Sequence, residues 1–103
     1  MRQTKVIFNE EKLTYSCELM RALAHPLRLK ILEYIDQHGE INVNKIYNTL
    51  GIEQSITSQH LKVLRMAGVV DCDKDGKFMN YTIRYEVVQK AHAAVNKFLG
   101  KTN

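Results

Sequence analysis

The chain has too few cysteines for a disulfide framework. Cys17 and Cys72 are its only two, they stand far apart, and no Cys-x-x-Cys metal site is present. It has no apolar run approaching the ~20 residues that span a bilayer, so no contact with a membrane is expected. The segment from Met1 to Lys12 lacks the apolar stretch of a secretion signal, which makes the cytoplasm the expected location. Internal repeats, low-complexity tracts and linkers are also missing, so residues 1–103 read as one domain. No Gly-rich phosphate loop, nucleophile motif or convincing acidic pair is found, and an enzyme is therefore not expected.

Acid is in modest deficit, with 11 Asp+Glu against 15 Lys+Arg and a net charge of +4. That total favours a polyanionic partner only weakly; its distribution says more. From Gln54 to Val70 there is no acid, while His60, Lys62 and Arg65 fall in that stretch and Lys74 and Lys77 follow.

Apolar spacing predicts a first helix over about Asn9 to Ala24, capped by Asn9, with Leu13, Cys17, Met20 and Leu23 on one face. Pro26 suits the first turn of a second helix, which runs to about Gln37 and stops before Gly39. Ile41 to Val43 reads as a short extended link. Asn42 or Asn44 can cap a short third helix through Leu50, and Gly51 then makes a tight turn. A fourth helix follows from Gln54 to Gly68, with Ile56, His60, Val63 and Leu64 expected to face inward. Val69–Asp73 and Phe78–Ile83 read as strands around Lys74-Asp75-Gly76-Lys77, and Asp-Gly between such runs signals a hairpin. A last helix covers about Tyr85 to Leu99, with Val87, Val88, Ala91, Ala94, Val95 and Phe98 as its apolar stripe.

A short helix, a glycine turn and a helix with a polar outer face form the layout of a helix-turn-helix. Its second helix buries one side to hold its angle and offers the other to base edges in a major groove. Gln54, Ser55, Thr57, Ser58 and Gln59 are short hydrogen-bonding groups at the end that would enter the groove. His60, Lys62, Arg65, Lys74, Lys77 and Arg28 are candidates for phosphate contact. For His60, packing inward is an equal alternative; for Arg28, a structural salt bridge is. His25, just before Pro26, can cap the second helix. The expected fold is mainly α with a β-hairpin wing, in the order ααααββα.

Three segments, in order, resemble the ArsR/SmtB family of small bacterial winged-helix repressors. The first is Leu23-Ala24-His25-Pro26-Leu27-Arg28-Leu29-Lys30-Ile31-Leu32. The second runs from Gln54 through Ser58, His60, Leu61, Leu64, Ala67 and Gly68 to Val70. The third is the wing from Lys74 to Tyr81. The resemblance spans about Met20 to Ile83. It implies a homodimer built on the first and last helices, about residues 9–24 and 85–99. The interface would use Leu13, Cys17, Val87, Val88, Ala91, Ala94, Val95 and Phe98. It also implies repression by occupying a double-stranded DNA operator, an imperfect palindrome, relieved or altered by an effector that the residues do not identify.

Two metal sites recur in that family, and neither is matched here. Asn42 to Tyr47 contains no cysteine, and Tyr85, Val87, Phe98 and Lys101 stand where ligands on the last helix would be. No metal or cofactor is implied. Two rival readings remain: a thiol-responsive repressor using Cys17 and Cys72, which requires the two sulfurs to meet, and a winged-helix module that binds protein.

Overall fold

The computed structural model describes residues 10–99, with the side chains of Lys12, Leu13 and Phe98 outside that description. Asn9, the expected cap of the first helix, and Lys101 also lie outside the described residues, as do the interface roles expected of the Leu13 and Phe98 side chains. Five helices and three strands follow one another: α1 Glu10–Leu23, α2 Pro26–His38, β1 Glu40–Asn42, α3 Val43–Leu50, α4 Gln54–Met66, β2 Val70–Asp75, β3 Phe78–Ile83 and α5 Tyr85–Phe98. Among the described residues no helix is long and apolar enough to cross a membrane.

Local chemistry accounts for most of these boundaries. His25 is extended and its side chain accepts a hydrogen bond from the Leu27 N–H, so it caps α2 with Pro26 in the first turn. The Asn42 side chain does the same for α3 through the Lys45 N–H at 3.0 Å. Gly51 ends α3 at φ +68°, a left-handed value that glycine adopts without the Cβ penalty, and its N–H returns to the Tyr47 carbonyl.

The stretch expected to be a link is a third strand. Glu40–Asn42 pairs antiparallel with β3, setting Ile41 opposite Tyr81, in a sheet ordered β1-β3-β2. Burying Ile41 between helix and sheet stabilises this short strand, and its three residues are too few to show an alternation. The hairpin turn is also tighter than expected. Asp75 pairs with Phe78, so Lys74 and Asp75 belong to β2 and only Gly76 and Lys77 form the loop.

The core joins every layer. Ile31 and Ile35 from α2, Ile46 from α3, Leu61 and Leu64 from α4, and Val69 and Val70 at the start of the wing are fully or almost fully enclosed. Leu19 of α1, Tyr81 of β3, and Val87 and Ala91 of α5 close the cluster. Burial and a contact with Cys72 across the hairpin push the Tyr81 hydroxyl up to about 12, so it stays protonated in the sheet.

Candidate nucleic-acid interface

α4 is seated on α3 and the wing by one buried stripe, Thr57, Leu61 and Leu64. Those positions, four and then three residues apart, are one face of a helix. The opposite surface is therefore determined: Gln54, Ser55, Ser58, Gln59, Lys62 and Arg65 are all exposed. No acidic residue occupies the first turn of α4, and the exposed Glu53 stands just before it at the N-cap.

Thr57 is not among the readers. It is 0% exposed, and its hydroxyl donates to the Glu53 carbonyl at 3.0 Å. Bonding to the carbonyl four residues back lets a polar side chain behave as a core residue. Thr57→Val is expected to cost about 1 kcal/mol or less of stability and to leave base preference unchanged, as melting and binding-site selection will report. Ile56 and Val63, expected to face inward, are instead partly exposed, and Met66 is 77% exposed. The helix is rolled so that Ile56 shares the outer surface with Ser55 and Gln59. An apolar group there can meet a thymine methyl, a contact that the charge pattern does not signal.

Two expected phosphate contacts point inward as well. Arg28 donates through Nε to the Ala22 carbonyl at 2.6 Å and through Nη2 to the Arg21 carbonyl at 3.1 Å. Both carbonyls lie in the last turn of α1, where backbone acceptors lack helical partners and a cation suits the dipole. Arg28 is thus a cap on a helix end and makes no salt bridge among the described residues. His60 is half-buried, with Nδ1 3.2 Å from Arg28 Nη1 and its ring 4.7 Å from that of His25. Burial first, then His25 and Arg28, hold its pKa below the ordinary 6.5, so it is neutral at pH 7.

The wing keeps its charges on separate faces. Strand alternation puts Asp71, Asp73 and Asp75 on one face of β2, and Lys74 on the other with Cys72. Lys77 lies in the two-residue turn. Lys62, Arg65, Lys74 and Lys77 are exposed and join no ion pair among the described residues.

The apolar face of α5 is divided. Val87 and Ala91, expected at a dimer interface, are enclosed in the chain's own core, Ala91 at 4% exposure. Val88 is half-buried, while Ala94 and Val95 face outward. Val88 and Val95, but not Ala94, border an open groove of about 780 Å³ whose walls also include Met20 and Leu23 of α1 and Leu29 of α2.

Cys17 is exposed on α1, and Cys72 is half-buried on β2. No Cα atom of α1 comes within 8 Å of one of β2 among the described residues, farther than the ~7 Å a disulfide tolerates. A bridge within one chain, which the thiol reading needed, is therefore corrected. No group of three His, Cys, Asp or Glu side chains gathers into a metal site among the described residues.

A polar helix held by a buried stripe after a left-handed glycine turn, followed by a basic-tipped hairpin, defines a winged helix-turn-helix. Its class is the DNA-binding transcriptional regulators. Comparison with known proteins agrees. A family model described as bacterial regulatory protein, arsR family, matches residues 25–71. An HTH-type transcriptional regulator of Mycobacterium tuberculosis is 36% identical over 84 residues, covering 82% of this chain and 74% of that protein. The transcriptional repressor PagR of Bacillus anthracis is 33% identical over 88 residues, covering 81% and 88%. A homodimeric winged helix-turn-helix domain of Mycobacterium bovis superposes with a TM-score of 0.75 at 26% identity, covering 96% of this chain and 91% of that one. The chain belongs to the arsR family of bacterial regulatory proteins and is a DNA-binding transcriptional regulator of the repressor type.

Proposed function

We propose that this regulator acts in the cytoplasm as a symmetric homodimer that occupies an imperfectly palindromic operator and blocks transcription. The observation that carries the reading is the exposed, acid-free surface of α4, fixed in orientation by Thr57, Leu61 and Leu64. Gln54, Ser55, Ser58 and Gln59 read base edges, with Ile56 beside them. Lys62, Arg65, Lys74 and Lys77 contact phosphates and set register. The homodimeric relative from Mycobacterium bovis and the open groove along α1, α2 and α5 support a partner copy seated there. Two-fold symmetry then requires half-sites about one helical turn, roughly 34–36 Å, apart. This reading calls for no cofactor or metal.

Salt titration of duplex binding tests it. Affinity should fall steeply as salt rises, because each phosphate contact releases counterions. Lys74→Ala and Lys77→Ala should weaken all sequences alike and reduce the log–log salt slope by about 1 for each phosphate left without its lysine. A salt-independent affinity, or a selected site without two-fold symmetry, overturns the reading.

A further inference from the structure

Arg28, His25 and His60 form a junction that phosphate contact does not explain. Two of the guanidinium's donors are held by the last turn of α1, at Ala22 and Arg21. The third nitrogen, Nη1, lies 3.2 Å from His60 Nδ1. A guanidinium only donates hydrogen bonds, so this contact exists only while His60 Nδ1 is an acceptor and the ring's proton is on Nε2. The His25 ring, tilted 57° and centred 4.7 Å away, is fixed by the same means, because its Nδ1 accepts the Leu27 N–H. His60 follows Gln59 directly on α4, so this contact joins the exposed polar face of α4 to the corner between α1 and α2, where Val63, Met66 and Ala67 of α4 also lie.

We propose that His60 is a positioning residue for the recognition helix, active only while its Nδ1 is unprotonated: as Arg28's acceptor it sets the turn of α4 that carries Ser58 and Gln59 against the α1–α2 corner, and its protonation in acidic solution lets that turn shift, with Thr57, Leu61 and Leu64 still buried, and weakens DNA binding. This rests on the reading of α4 as the recognition helix. A proton on Nδ1 turns the acceptor into a donor aimed at another donor and sets a cation against Arg28. The groups that face the ring from α2 are His25 and Arg28, both basic. From α1, Glu18 and Arg21 line a neighbouring groove together with Arg28 and with Val63, Met66 and Ala67 of α4. Among the described residues no carboxylate oxygen lies within 4 Å of the ring nitrogens to compensate. The sign follows from the pKa held below 6.5. The seated form is favoured above the ordinary value, and its contribution is lost as pH falls through the lower, folded-state value. A phosphate contact by His60 gives the opposite sign, because protonation would strengthen binding.

The test has two arms, both on the full chain. In the first, the histidine rings and the backbone amides are followed by NMR from about pH 8 to pH 5. The His60 ring should titrate below the ordinary value, and the amides of Ser58 to Lys62 should move with the same midpoint. In the second, affinity is measured at constant ionic strength for a duplex selected from a random pool at about pH 7.5. The wild-type Kd should rise about fivefold or more once the pH is taken below the midpoint that the NMR arm gives for the His60 ring, as expected for the breaking of one hydrogen bond. His60→Asn supplies a carbonyl acceptor that does not titrate. It should stay within about twofold of wild type at about pH 7.5 and show a flat profile. His60→Leu should be weak at both values. Tighter wild-type binding in acid that His60→Asn abolishes assigns His60 to phosphate and overturns the proposal. Matching profiles for wild type and His60→Asn, or α4 amides that ignore the ring's titration, overturn it too. If no duplex is bound at any pH, the recognition reading itself fails, and the amide titration separately shows whether the junction moves α4.

Discussion

Val95→Glu should split the proposed dimer into monomers in sedimentation, while circular dichroism should show an intact fold. This is expected because Val95 is 41% exposed in the single chain and borders the groove that a partner copy would fill. Its replacement leaves the protomer's own core untouched but puts a carboxylate against Met20, Leu23 and Val88 once the copies meet. An uncompensated buried charge costs about 3–5 kcal/mol, and two-fold symmetry places two of them in one interface. DNA binding should fall with the dimer, because one half-site holds a monomer weakly. Ala91→Glu is a poorer probe. Ala91 is already enclosed within the chain, so the charge would disrupt the fold as well as any interface. A Val95→Glu protein that remains dimeric would place the contact away from α5.

Replacing Ser58 and Gln59 together with Ala should bring the largest loss of sequence discrimination. Both side chains are exposed on the outer face of α4, within its first two turns. Gln can make a paired contact with adenine, and each good base contact is worth about 1–3 kcal/mol of discrimination. A dimer presents the pair twice. The selected operator should therefore lose about a hundredfold or more in affinity, while random duplex is bound nearly as before. Competition of selected against random duplex measures the ratio. If that ratio survives the double substitution, Gln54, Ser55 and Ile56 carry the readout instead.

Much of this arrangement is legible in the residues. Helices α2 to α5 lie within two residues of the spans that spacing and caps predict, because His25, Pro26, Asn42 and Gly51 act on the backbone next to them. The exposed polar surface of α4 is equally plain at Ser58 and Gln59. The roll of that helix is not. Ile56, Val63 and Leu64 make a plausible apolar stripe, and Thr57, Leu61 and Leu64 make another. The second is the buried one because the Thr57 hydroxyl bonds to Glu53 within its own helix and enters the core without an unpaired polar atom. The sequence leaves Arg28 open between phosphate and a salt bridge, and His60 between phosphate and inward packing, because nothing in their spacing shows that the α1–α2 corner turns two carbonyls toward Arg28.

Taken alone, the order of residues determined the elements, their succession and the polar edge of the fourth helix. Those depend on caps, turns and side chains only a few positions apart. Tertiary packing decided the rest: that Glu40–Asn42 joins the sheet, which stripe of α4 is buried, that Arg28 and His60 bind each other, and which apolar positions of α5 stay exposed. Each of these is a choice between alternatives of nearly equal local merit. It is settled only when distant segments compete for the same enclosed space and for the same unpaired backbone acceptors.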